Sequence, residues 1–445
     1  MNILFVSLGC DKNLVDSEMM LGLLAKKGYD FTDNETEADV IVVNTCCFIG
    51  DAKEESVNTL LEMSEYRKSG RCRALIVTGC LAERYRQEIL DEIPEVDAVL
   101  GTASYDSITE AVDQALGGRH MLRCEDTGRL VLPDAKRILT TGGHYAHLKI
   151  AEGCDKHCTY CIIPHLRGPY RSVPMERLIE EAEELAGQGV KELILVAQET
   201  TLYGVDLYGG KSLHKLLQKL CRIHGIRWIR IQYCYPEEIY PELVETMKEQ
   251  PKICHYLDLP IQHASNRILK RMGRRTTRED LKEIIQGLRR EIPDICLRTT
   301  LISGFPGETQ EDHEELMDFV DEMEFDRLGV FAYSAEEDTP AASMEDQIPE
   351  NLKQERRDEI MELQQEIAFE KAEEMVGKEL WCMVEGKIAD EYAYVARTYR
   401  DAPDVDGYLF IQTMEELMSG DFVKVRVTGA EEYDLIGEIA DEFTE

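Results

Sequence analysis

Residues 153–161 read GCDKHCTYC and place Cys154, Cys158 and Cys161 within eight positions. Three thiols so spaced form a ligand set with one coordination position left over. A structural zinc normally closes its tetrahedron with four ligands. An iron–sulfur cluster takes one cysteine per iron, so a set of three leaves one iron open for chemistry. His157 could complete a zinc set of three cysteines and one histidine, although ligands at the adjacent positions 157 and 158 would strain a tetrahedron.

Outward from this stretch, HLKIAEG directly before it reads as an apolar strand. ELILVAQET, WIRIQYCY, YLDLPIQ, LRTTLISGF and RLGVFAYS repeat the pattern. Between them, MERLIEEAEELAGQGV and REDLKEIIQGLRREI carry helical apolar spacing with charged outer faces. Six strand–helix repeats over 140–370 predict a full or partial barrel of parallel strands, whose active groups follow the carboxyl ends of the strands. The cysteine loop follows the first strand and so belongs to that face.

Residues 1–125 alternate in the same way. NILFVSLGC, ADVIVVNTCC and ALIVTGC read as buried parallel strands, with SEMMLGLLAKKG and AKEESVNTLLEMSEYRKSG as helices between them. This is an open α/β domain. Each strand runs into a cysteine: Cys10, Cys46 and Cys80. Parallel strands share one carboxyl edge, where ligands of open α/β sheets bind, so the three converge as a second candidate ligand set. Cys46 matches the strand end better than its neighbour Cys47. Cys72, Cys124, Cys221, Cys234, Cys254, Cys296 and Cys382 have no ligand spacing and read as ordinary buried or surface thiols. Two open thiolate triads favour iron–sulfur chemistry over two structural zincs.

After a charged helix, NLKQERRDEIMELQQEIAFEKAEEM, the pattern changes to LWCMVEGKI, AYVARTY, GYLFIQ, DFVKVRVTGA and DLIGEIA. Five short strands over 376–445 predict a small antiparallel β-barrel of the kind that binds oligonucleotides. It carries 17 Asp/Glu against 6 Lys/Arg, a net of −11. Single-strand binders use positive grooves, so a basic protein surface suits this barrel better than nucleic acid.

At 445 residues with 43% hydrophobic content, the chain is expected to hold two or three globular domains. Its 14 cysteines are scattered, which is not a disulfide framework. No run of eighteen apolar residues occurs, and MNILFVSLGC lacks a charged stretch followed by a cleavable apolar one. A cytoplasmic protein with no membrane partner is therefore expected. The net charge of −37 argues against free nucleic acid as the main partner.

CDKHCTYC, with Tyr160 before its last cysteine, resembles the signature of radical S-adenosylmethionine enzymes. Together with the upstream triad and the terminal barrel, nearly the whole chain resembles the methylthiotransferase family, the barrel being its TRAM domain. The resemblance implies a 4Fe-4S cluster on Cys154, Cys158 and Cys161 that binds S-adenosylmethionine as radical source. It implies a second 4Fe-4S cluster on Cys10, Cys46 and Cys80 that carries the sulfur, with a second S-adenosylmethionine as methyl donor. The enzyme would be a transferase of sulfur-containing groups. Further contacts to S-adenosylmethionine are expected from Tyr160, Gln198 with its neighbour Glu199, Gln262, and Gly304 with Gly307, all but Tyr160 from strand-end placement. A sulfide or persulfide donor and a flavodoxin- or ferredoxin-type electron donor complete the implied partners.

The family has a branch acting on transfer RNA adenosine and a branch acting on an aspartate of small-subunit ribosomal protein S12. LGCDKNLVDSEMMLG has Lys12 before Asn13, where the transfer RNA branch commonly has methionine. HLKIAEGCDKHCTYCIIPHLRG, VAQETTLYGVDLYG and VARTYRDAPDVDGYLFI also resemble the ribosomal-protein branch. Methylthiolation of the β-carbon of that aspartate is the expectation, with transfer RNA adenosine as alternative. A non-catalytic zinc-containing binding module is the third reading. NRILKRMGRRTTRED carries Arg267, Lys270, Arg271, Arg274, Arg275 and Arg278 and reads as a solvated helix face or an RNA contact.

Overall fold

The computed structural model describes residues 1–440, and the described chain divides into two compact units. The first comprises residues 1–140, 149–173 and 334–343; the second comprises 141–148, 174–333 and the residues from 344 onward. Among the described residues, no helix is long and apolar enough to cross a membrane.

The first unit is built on six strands: β1 (Asn2–Ser7), β2 (Asp30–Phe31), β3 (Val40–Thr45), β4 (Ala74–Gly79), β5 (Ala98–Leu100) and β6 (Met121–Arg123). They pair in the order β2-β1-β3-β4-β5-β6, parallel throughout. Every residue of β3 and β4 is buried, which accounts for their unbroken apolar runs. Helices α1 (Asp11–Lys26), α2 (Gly50–Ser69) and α3 (Cys80–Tyr85) follow β1, β3 and β4. Two apolar cores line the sheet, one around Ile41, Val43, Leu75 and Val77, the other around Ile3, Val40, Val42 and Ile76. A small antiparallel pair, β8 (Ala151–Glu152) with β9 (Arg171–Ser172), closes the base of the Cys154–Cys161 segment.

The second unit holds β7 (Tyr145–Lys149, its last residue falling in the first unit), β10 (Glu192–Val196), β11 (Trp228–Ile231), β12 (Ile253–Asp258), β13 (Cys296–Ser303) and β14 (Arg327–Ala332). They form an open six-stranded sheet in chain order, parallel from β10 to β14, so the barrel is partial. Two of its helices, Arg278–Glu291 and Gln310–Met323, start with capping boxes made by Thr277 with Asp280 and Thr309 with Asp312. The helix Glu350–Glu373 is charged yet packed: Lys353 donates to the Tyr333 carbonyl at 2.9 Å, Arg356 pairs with Glu308, and Gln364 donates to the Phe325 carbonyl.

The terminal barrel comprises β15 (Glu379–Lys387), β16 (Ala393–Thr398), β17 (Leu409–Gln412), β18 (Phe422–Glu431) and β19 (Asp434–Ile439). Four of its pairings are antiparallel, and β17 with β19 closes it in parallel. Met383 and Ala402 enter one apolar cluster with Tyr145, Ile194, Trp228, Cys254 and Cys296 of the sheet. Beside this cluster, Glu192 lies between Arg230 and Arg397, at 2.8 Å from each, all three completely buried. Arg298 with Asp406, Arg327 with Asp401, and Arg400 with Asp326 repeat the theme. The barrel is thus docked on the sheet through buried charge as well as apolar contact.

Candidate functional site

All six cysteines of the two triads lie in the first unit. Cys10 caps α1, Cys46 follows β3 directly, and Cys80 opens α3. Parallel pairing of β1, β3 and β4 carries the three to one sheet edge. Glycine makes the turns. Gly9 has φ +90°, and a Cβ there would sit 2.9 Å from Cys46 Sγ. Gly79 has φ +93°, and its Cβ would lie 2.4 Å from Asn44 Oδ1 and 2.5 Å from the Thr45 carbonyl. Gly153, before Cys154, has φ +79° and no room beside the Pro169 carbonyl. Three ligand candidates therefore share one local device, a glycine in left-handed conformation immediately before the cysteine. That signal stands in the sequence as LGC, TGC and EGC, and strand patterning alone missed it.

The upstream thiols share a mostly buried environment. Cys46 and Cys80 are buried and Cys10 is exposed, which leaves the set open on one side. Burial pushes the Cys80 thiol up to about 12; the Arg167 guanidinium opposes this, and Cys46 and Cys10 add to it. Burial also raises Cys46, with Cys10 adding to the shift. Cys47 is wholly buried in the apolar core that also holds Leu60, Leu75, Val77 and Cys80; burial raises the pKa of its thiol, with Cys80 adding to the shift and Arg84 opposing it.

In the second triad, Cys154 and Cys158 are buried and Cys161 is half-buried. Burial pushes Cys161 up to about 12, with Cys158 and Cys154 contributing. The loop is tied at its base, where Cys154 N donates to the Gly168 carbonyl at 3.1 Å. It is tied again midway, where Ala341 N donates to the Thr159 carbonyl at 2.9 Å. His157 is exposed in the left-handed region, at φ 50°, apart from the buried thiols on which a zinc reading would need it to converge.

Between these sets stands a polar network that sequence patterning did not reveal. Arg167 is 2% exposed and donates to Asp16 Oδ2 at 2.7 Å, Asn13 Oδ1 at 3.0 Å and Glu152 Oε2 at 3.3 Å. Its Nη2 also reaches Cys80 Sγ at 3.5 Å. Lys149 pairs with Asp16 and Glu152, and Asn13 donates to the carbonyls of Leu8 and Thr45, on the turns that carry Cys10 and Cys46. Asn13 and Asp16 are 154 and 151 residues from Arg167, so no local pattern announces the network.

The donor chemistry fits iron–sulfur clusters: soft thiols in threes, partly dry, with a buried cation beside one set. Among the described residues, no three His, Cys, Asp or Glu side chains could hold a single metal ion. A cubane distributes its thiolates over separate irons and asks for no such convergence.

The remaining predicted contacts divide between the units. Tyr160 is half-buried in the cysteine loop of the first. Gln198, Gln262 and Gly304 follow β10, β12 and β13 in the second, all at the carboxyl edge of its sheet. Gln262 has φ 70°, donates its N–H to the Thr300 carbonyl and accepts from Ile302 N at 2.8 Å. Glu199 accepts from the Thr201 amide at 2.9 Å. Gly304 gives its N–H to Glu308, and Lys353 Cγ would stand 2.4 Å from a Cβ there; Asp346 crowds Gly307 in the same way. In the basic stretch Lys270 and Arg275 are exposed, and the other four cations have partners within the second unit. Arg267 pairs with Asp312, Arg271 with Asp346, Arg274 stacks over Tyr235, and Arg278 lies over Phe319.

Three family models match the chain: Uncharacterized protein family UPF0004 over residues 2–101, the Radical SAM superfamily over 148–320, and the TRAM domain over 376–440. Membership of the second implies a 4Fe-4S cluster and S-adenosylmethionine. The fold resembles that of the radical S-adenosylmethionine methyltransferase TsrM from Kitasatospora setae, with a TM-score of 0.55 at 15% identity over 76% of each chain. The ribosomal protein uS12 methylthiotransferase RimO of Lachnoclostridium phytofermentans is 65% identical, covering 98% of this chain and 99% of its own. That of Acetivibrio thermocellus is 51% identical, covering 98% of each. With two cysteine triads, a partial barrel and a terminal TRAM domain, the chain belongs to the ribosomal protein uS12 methylthiotransferase family of radical SAM enzymes.

Proposed function

We propose that this chain methylthiolates the β-carbon of an aspartate in ribosomal protein uS12, using two 4Fe-4S clusters, one on each cysteine triad. The observation that carries the reading is the gathering of two open triads in one compact unit, in a chain 65% identical over its length to a uS12 methylthiotransferase. When bound, the two clusters supply an electron for cleavage of S-adenosylmethionine and a site that delivers sulfur, while S-adenosylmethionine also supplies the methyl group.

The protein's own part is placement and exclusion. Gly9, Gly79 and Gly153 turn the backbone so that Cys10, Cys80 and Cys154 enter their sets. Burial of Cys46, Cys80, Cys154 and Cys158 keeps water from most of each set, and ligation displaces their protons. Gln198, Gln262 and Gly304 are proposed S-adenosylmethionine contacts at one sheet edge of the second unit, and Tyr160 is a proposed contact in the cysteine loop of the first. On the barrel, Asp390, Glu391, Glu415 and Glu416 are exposed and support docking of a basic protein substrate. Segments 1–125, 140–370 and 376–445 would then supply the sulfur, the radical and the substrate contact. A sulfide or persulfide donor and a flavodoxin- or ferredoxin-type reductant complete the turnover.

The test is mass spectrometry of uS12 and of transfer RNA after incubation with anaerobically reconstituted protein, S-adenosylmethionine, reductant and sulfide. A methylthio mass gain on the uS12 aspartate alone is expected. A gain on adenosine alone overturns the substrate, and no gain on either overturns the activity.

A further inference from the structure

We propose that Arg167 is a positioning residue for the Cys10–Cys46–Cys80 cluster: its buried guanidinium fixes Cys80 and sets the cluster's reduction potential. The inference rests on the two-cluster reading above and deepens it.

Three observations carry it. Arg167 Nη2 stands 3.5 Å from Cys80 Sγ, hydrogen-bond range for sulfur, while Nη1 is anchored on Asp16 at 2.7 Å. The side chain is 2% exposed, so its charge acts on the sulfurs with little screening by water. Its backbone is fixed as well: the Arg167 carbonyl accepts from Arg171 Nη1 at 2.7 Å, and the neighbouring Gly168 carbonyl accepts from Cys154 N. One short helix, Ile163–Arg167, thereby joins the base of the second triad to a sulfur of the first.

The chemistry follows from charge. Thiolates around an iron–sulfur core make the site negative, and reduction adds one more electron. A hydrogen bond to sulfur and a nearby cation stabilise the reduced state more than the oxidised one, which raises the potential. Asp16 works in the opposite sense, because it offsets the guanidinium. A buried cation already balanced by Asp16 and Glu152 does not need Cys80 for its own satisfaction, so the reach toward sulfur marks a role at the triad.

The test uses the full chain carrying Cys154→Ala, Cys158→Ala and Cys161→Ala, reconstituted anaerobically so that iron reports only the upstream triad. Redox titration followed by electron paramagnetic resonance then compares this parent with Arg167→Gln, Arg167→Lys and Asp16→Asn. Arg167→Gln is expected to shift the midpoint to lower potential, Arg167→Lys less so, and Asp16→Asn to higher potential. Should Arg167→Gln fail to fold, Arg167→Lys decides: a midpoint identical to the parent's in protein that loads iron equally overturns the role of Arg167. Unchanged midpoints in variants that load iron like the parent would overturn the role of Arg167 alone. A parent that binds no iron would overturn the cluster assignment, and the inference with it.

Discussion

A glycine's missing methyl group decides whether a strand can hand its end to a cysteine. Gly79 and Gly28 share φ +93°, yet a Cβ at Gly28 meets nothing within 4 Å, whereas one at Gly79 meets Asn44 and Thr45. Gly28→Ala therefore carries only the left-handed penalty, about 1–2 kcal/mol. Gly79→Ala adds an overpacking cost of about 1–3 kcal/mol and displaces Cys80 from its set. Urea unfolding should rank the two in that order, and iron content after reconstitution should fall for Gly79→Ala only. Equal loss of stability and full iron loading in both would refute the packing argument. The same scale explains why the seven cysteines without ligand spacing stay ordinary: six are buried and Cys124 is half-buried, and none belongs to either triad.

Among elements, β10 shows how a strand can be apolar in pattern and still be secured by charge. Glu192 at its start is wholly buried between Arg230 of β11 and Arg397 of β16. Burial acts to raise its pKa, but the Arg397 and Arg230 guanidinium groups outweigh this and hold the carboxyl below its ordinary value. A depressed folded pKa means that this group's stabilising contribution is complete above the ordinary carboxylate value of about 4.3 and fades as pH falls below it. Glu192→Gln leaves two guanidinium groups with a neutral partner and should cost about 3–5 kcal/mol at neutral pH. Its stability should also vary less with pH below about 4.3 than that of the parent. Chemical denaturation across that range checks both statements, and a parallel pH slope in the two proteins would contradict the assignment.

At the scale of the whole molecule, acidity has two uses. The sequence gives the terminal segment a net of −11, which reads as a surface for a basic partner. The structure places Glu385, Asp401, Asp404 and Asp406 on internal partners instead: Arg397, Arg327, Tyr145 and Tyr256 respectively. Part of the acidity is therefore mortar within the second unit. Deleting residues 376–445 should leave Arg230 and Arg298 short of partners and uncover Trp228 and Tyr256, so the truncated protein should aggregate or melt well below the full chain. Light scattering during a thermal scan would show this, and a truncated protein as stable as the parent would make the barrel an independent appendage. Exposed carboxylates such as Glu415 and Glu416 remain for an external partner.

The sequence by itself determined the two parallel α/β sheets and the terminal five-stranded barrel, because each rests on local periodicity. It offered the CxxxCxxC set through short spacing, and Cys10, Cys46 and Cys80 through their places at strand ends. Buried parallel strands must be continuously apolar, and CxxxCxxC needs only eight residues to declare itself. Only the tertiary structure decided that Arg167 reaches Cys80 from 87 positions away, and that the basic stretch at 267–278 has carboxylate and aromatic partners inside its own unit. It alone likewise showed that a charged helix such as Glu350–Glu373 buries Lys353 and Arg356. Charge has no periodicity that names its partner; in water it reads as surface, and burial becomes possible only when folding supplies the opposite charge.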